Sequence, residues 1–173
     1  MITDILIAFT DWLGATRLTA IVAGHFWIVP ALQTVHLSSI AVVLAGAVLI
    51  NLRIVGLVER GQPVGAMLDR FLRPIAIGVA VLALTGVLLI AGEPTRALFR
   101  VVFWLKMALI LAAVSLTWSH RISFRAGRSS AAGAAAATPL RKSIAILALL
   151  LWLAVIVAGR WIAYVEAWPG APA

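Results

Sequence analysis

The sequence predicts an all-α integral membrane protein, an antiparallel bundle of four transmembrane helices preceded by an interfacial amphipathic helix. Three observations predict it. First, the chain has 173 residues, is 64% hydrophobic and has a mean hydropathy of +1.11. A soluble domain is nearer half apolar, so lipid must be the solvent for much of this surface. Second, four apolar runs each come close to the roughly 20 residues that a helix needs to cross about 30 Å of hydrocarbon. Third, no stretch alternates apolar and polar residues as a membrane β-strand would. Helices are then the spanning structure that satisfies the backbone in lipid.

Residues 1–24 form the first element. Asp4, Asp11 and Arg17 interrupt the apolar stretches ILIAF, WLGA and LTAIV. A charge at mid-bilayer costs several kcal/mol or so, which argues against a span here. Ile5, Phe9, Trp12 and Leu13 share one side of a helix and the two aspartates another. That pattern suits a helix lying in the membrane surface; the alternative is a fifth, poor span. Met1-Ile2-Thr3-Asp4 lacks a basic n-region, so no cleavable signal is expected.

Residues 25–173 hold the four spans, at about 27–52, 74–91, 98–118 and 144–163. Pro30 and Pro74 are placed in first turns, where proline is tolerated. Pro94 and Pro139 fall in connections. Segment 126–139, AGRSSAAGAAAATP, is alanine-rich and low in complexity, and reads as a flexible cytoplasmic linker. Small residues at helix-contact spacing predict close approach in lipid. They are Ala108, Ala112, Ser115 and Ser119 in span 3, and Gly78 and Gly86 in span 2.

Charge sets the orientation. The net charge is +8, and the cations cluster between apolar runs. Nine Lys and Arg flank the connections between spans 1 and 2 and between spans 3 and 4; four lie toward the other side. The positive-inside rule then puts both termini on the outer face of a bacterial inner membrane, with lipid rather than nucleic acid as the partner of the charge. Trp12, Trp27, Trp161, Tyr164 and Trp168 gather toward that outer face as an aromatic belt.

Polar residues inside the spans are the candidate sites. His36 lies roughly 9 Å below Pro30 by the helix rise. Lys106 and Arg160 reach comparable depth on spans 3 and 4, and Gln33 and Thr34 lie near His36. Intramembrane ionisable groups usually face a bundle interior. Such a level could hold haem b, a quinone or a small anion, with His36 as axial ligand or hydrogen-bond partner. The structural alternative is snorkelling cations and a histidine bonded to a neighbouring helix. His25 could join His36 only if the segment before Pro30 folds back, because eleven residues of helix span about 16 Å. His120 is about 20 Å away along the membrane normal, too far for a shared haem. A second polar cluster, Asn51, Arg53 and His120, marks the inner end and suits helix-terminus and lipid contacts. No hydrolase triad, phosphate loop or zinc motif is present. There is no cysteine, which excludes disulfides and c-type haem attachment.

Four segments carry a resemblance: Pro30 to His36 as P-x5-H, NLRIVGL from Asn51, LTGVLL from Leu84, and FWLK from Phe103. Together, over about residues 25–125, they resemble a bacterial family of small integral membrane proteins that is a domain of unknown function. The family pattern has aspartate in a DLRLLG-like segment where Asn51 stands here. The layout is also similar to cytochrome b561-type and copper-resistance membrane modules, in architecture alone. Three functions are expected in order: an electron-transfer subunit holding haem b or quinone, a cofactor-free accessory subunit of a larger membrane complex, and an oligomeric small-anion channel or transporter.

Overall fold

The computed structural model describes residues 2–59, 61–127, 138–162 and 164. Every element among them is helical: α1 (Ile2–Gly14), α2 (Arg17–Gly24), α3 (Ile28–Val55), α4 (Val64–Gly92), α5 (Pro94–Leu98), α6 (Val101–Gly127) and α7 (Pro139–Trp161). Four of them, α3, α4, α6 and α7, are long and apolar enough to cross a membrane. They pack in a ring, α3 on α4, α3 on α7, α6 on α7 and α4 on α6.

The α3–α4 seam is built on glycine. A Cβ on Gly78 would lie 2.6 Å from Val43 Cγ2, and one on Gly46 would lie 2.9 Å from Ile75 Cγ1. The absent side chains let the two backbones close in. Val43, Ala47, Ile50, Ile54, Leu68, Leu72 and Ile75 bury around this seam, and Ala113, Ala145 and Trp152 complete the core.

Helix ends follow local chemistry. Gly56 adopts φ +93°, and its N–H bonds to the Arg53 carbonyl while Leu57 N–H bonds to that of Leu52. This is a Schellman cap, and it needs the left-handed residue that glycine supplies. Arg53 then donates through Nε and a terminal nitrogen to the Gln62 carbonyl, tying the α3–α4 turn. Thr138 caps α7, accepting from Arg141 N–H at 3.5 Å, with Pro139 in the first turn.

Several boundaries differ from the sequence reading. Helix α4 begins ten residues before Pro74, which is exposed inside it. The proline removes one bond, to the Arg70 carbonyl, while buried Met67, Leu68 and Leu72 anchor the preceding turns. Pro139 starts a helix rather than sitting in a connection. Helix α6 runs on to Gly127, and positions 128–137 of the expected linker lie outside the described residues, as do Arg60 and Trp168.

Helices α1 and α2 meet at 70°. Thr16 makes the corner. Its hydroxyl donates to the Leu13 carbonyl at 2.7 Å and accepts from Thr19 N–H at 3.3 Å. Helix α2 seats Val22 against Gly92 at the end of α4. Ile5, Phe9 and Trp12 of α1 stay exposed.

The small-residue stripe of α6 turns the other way from expectation. Ala108, Ser115 and Ser119 are exposed. The inward face is instead Lys106, Ile110, Ala113, Thr117 and His120, stepping 4-3-4-3, with the last three of these buried.

Candidate functional site

The site begins with one hydrogen bond between two spans. His36 Nδ1 of α3 lies 2.7 Å from Thr85 Oγ1 of α4. Thr85 Oγ1 also lies 2.7 Å from the Val81 carbonyl oxygen, one turn back in its own helix. A carbonyl only accepts, so the single hydroxyl proton goes to Val81. Nδ1–H therefore donates to Thr85, and the lone pair of the neutral imidazole sits on Nε2. Thr85 is buried and His36 is partly buried. The ring lies beside Gly86, where a Cβ would meet His36 Cε1 at 3.8 Å. Gly78 brings the helices together; Gly86, two turns on, leaves room for the imidazole.

Lys106 supplies the positive charge. It is partly buried on α6 and within electrostatic reach of His36. Its stem crosses α7 at Gly159, where a Cβ would lie 3.6 Å from Cε and 3.7 Å from Nζ. Thus α3, α4, α6 and α7 each contribute to one level: His36, Thr85 with Gly86, Lys106 and Gly159. Arg100 donates to the Ile162 carbonyl and holds the ends of α6 and α7 together above it.

The other residues singled out in the sequence sit apart from this core. Arg160 is exposed, with its guanidinium 5.3 Å from the Tyr164 ring centroid. Gln33 is exposed, and Thr34 is exposed with its hydroxyl donating to the Pro30 carbonyl at 2.9 Å. His25 is exposed, and its Nδ1 bonds the Ile21 carbonyl at 2.9 Å rather than approaching His36. Thr85, Gly86 and Gly159 were missed as site residues. The signal for the first two was there, in the LTG of the third resembling segment.

The opposite end of the bundle has a different polar level. Asn51 and His120 are buried, at 0% and 3% exposure. Asn51 Nδ2 donates to the Ala47 carbonyl at 2.8 Å, but Asn51 Oδ1 and His120 Nε2 find no hydrogen-bond partner. Thr117 donates to the Ala113 carbonyl and accepts from Trp152 Nε1 at 3.4 Å. No group of three or more His, Cys, Asp or Glu among the described residues could hold a metal ion.

The chain belongs to a family of unknown function, DUF6644, whose pattern matches residues 9–165. No match is found among curated proteins or among solved structures.

Proposed function

We propose that this is an inner-membrane electron-transfer subunit whose outer polar level holds a redox cofactor of the bilayer, haem b first and quinone second. One observation carries the reading: the Thr85 bond fixes the His36 tautomer and leaves Nε2 as the basic nitrogen. A metal-ligating histidine usually has its other N–H held in this way. His36 Nε2 would be the axial ligand of a haem, with Lys106 available to a propionate. Only one histidine is offered at this level, so the set fits single-histidine ligation and not a bis-histidine site. The same atoms also suit a quinol, Nε2 accepting its O–H and Lys106 donating to an oxygen.

The test is an absorption spectrum of gently extracted protein, oxidised and reduced, with lipid extracts assayed for quinone. A Soret band lost in His36→Ala supports haem. A flat spectrum with co-purifying quinone, lost in the same variant, supports quinone. Absence of both signals at full protein yield removes the proposal.

A cofactor-free accessory subunit is the second reading, favoured by α6. Only 11% of its apolar stretch is buried within the chain, against 28%, 28% and 22% for α3, α4 and α7. Stable co-purification with a larger complex, unchanged by His36→Ala, would favour it.

A further inference from the structure

The four seams of the bundle are unequal, and α4–α6 is the loosest. In it lies a groove of about 320 Å³, lined by Leu68, Asp69, Leu72, Arg73 and Ala76 of α4 and by Trp118 of α6. That volume is at the lower end of the range for small-ligand sites, about 300–1,000 Å³. Its depth is informative. Arg73 is nineteen residues from Gly92, about 29 Å along the helix, so the two mark opposite boundaries of a hydrocarbon layer about 30 Å thick. Trp118 is seventeen residues from Val101, about 26 Å, and reaches the same boundary. The groove thus opens where head groups meet acyl chains, at the end that the charge bias assigns to the cytoplasmic side.

Its chemistry is amphipathic. Arg73 is exposed and makes no hydrogen bond or ion pair among the described residues. Asp69, one turn before it, is engaged in an interaction of its own. Ala76 continues the wall toward the membrane centre, while Leu72 and Trp118 flank it at the boundary. Arg70 stands outside the groove, its guanidinium 5.4 Å from the Phe71 ring centroid.

We propose that this groove binds one anionic glycerophospholipid of the cytoplasmic leaflet, its phosphate on Arg73 and an acyl chain against Leu72, Ala76 and Trp118. The lining carries one cation, Arg73, and one carboxylate, Asp69; an unpaired arginine at head-group depth between transmembrane helices is suited to a lipid phosphate. The occupant is a lipid rather than a free anion because four of the six lining residues, Leu68, Leu72, Ala76 and Trp118, are apolar and stand at the edge of the acyl layer.

Native mass spectrometry of delipidated protein in neutral detergent tests this, with dioleoyl-phosphatidylglycerol, dioleoyl-phosphatidylcholine and inorganic phosphate as probes. Phosphatidylglycerol should be retained about fivefold over phosphatidylcholine, the worth of one basic residue near a membrane surface. Arg73→Gln should abolish that preference, and Arg70→Gln should keep it. Ala76→Phe, which fills the groove with the charge intact, should lower retention of phosphatidylglycerol. Circular dichroism verifies that each variant keeps its helicity. Equal retention of the two lipids by the unmodified protein, or an unchanged preference in Arg73→Gln, overturns the proposal. Displacement of phosphatidylglycerol by millimolar phosphate would make the groove a free-anion site and equally overturn it.

Discussion

The two polar levels of the bundle are constructed in opposite ways. At the His36 level the ring N–H is held by Thr85, whose own proton goes to Val81, and one ring nitrogen is left over on a partly buried ring. At the Asn51 level the side chains are sealed from solvent, and Asn51 Oδ1 and His120 Nε2 lack partners. The difference separates spare hydrogen-bonding capacity from strain. A pre-oriented group with spare capacity near the surface can bind something; a buried orphan lowers stability, by about 1–3 kcal/mol per group. Between the two levels lie Val43, Ala47 and Ile50 on α3 and Ala113 on α6, an apolar layer that holds them apart.

Substitutions can break this contrast. The largest effect is expected where both levels share a support, the glycine seam. Gly78→Ala puts a methyl 2.6 Å from Val43 Cγ2 and should destabilise by about 1–3 kcal/mol. Helicity followed through a denaturing-detergent titration gives the value, and an unchanged midpoint would mean that the seam gives way freely.

Next is Gly56→Ala at the Schellman cap. An L-residue at φ +93° should cost about 1–2 kcal/mol, read in the same titration. The turn lies at the Asn51 end, so the His36 level should keep whatever ligand binding it has.

The paired test of the two levels is Thr85→Val against Asn51→Leu. The first strands the His36 N–H and should destabilise by about 1 kcal/mol. The second removes an orphaned acceptor with the loss of one local bond to Ala47, and should stabilise by about 1 kcal/mol. Shifts of the same sign would erase the distinction drawn here. The smallest effect is expected for Gly159→Ala, since 3.6 Å to Lys106 Cε is ordinary contact. A change within about 0.5 kcal/mol is expected, whereas Gly159→Leu should dislodge Lys106 and destabilise by about 1–3 kcal/mol.

Much of the fold was legible in the residues. Apolar runs located α3, α4, α6 and α7, and Pro94 marked the break between α4 and α6. His36 and Lys106 stood out because charge or imidazole in an apolar run is conspicuous. Thr85 did not, because a threonine in a span bonds its own helix without penalty and signals nothing by itself. The inward face of α6 was misread for a related reason. Ala108, Ala112, Ser115 and Ser119 suggested a contact stripe, but Ala113, Thr117 and His120 are the residues that pack inside. In lipid the core and the surroundings are both apolar, so hydrophobic periodicity does not say which face turns inward.

By itself, then, the sequence determined the all-helical class and the four helices long and apolar enough to cross a membrane. These depend on run length and on backbone satisfaction in hydrocarbon. Only the tertiary structure decided that His36 meets Thr85, that Lys106 crosses Gly159, and that the α4–α6 seam stays open around Arg73. Those outcomes depend on which helix faces lie within about 4 Å of one another, and close packing between spans is a property of matched shapes that no single helix encodes.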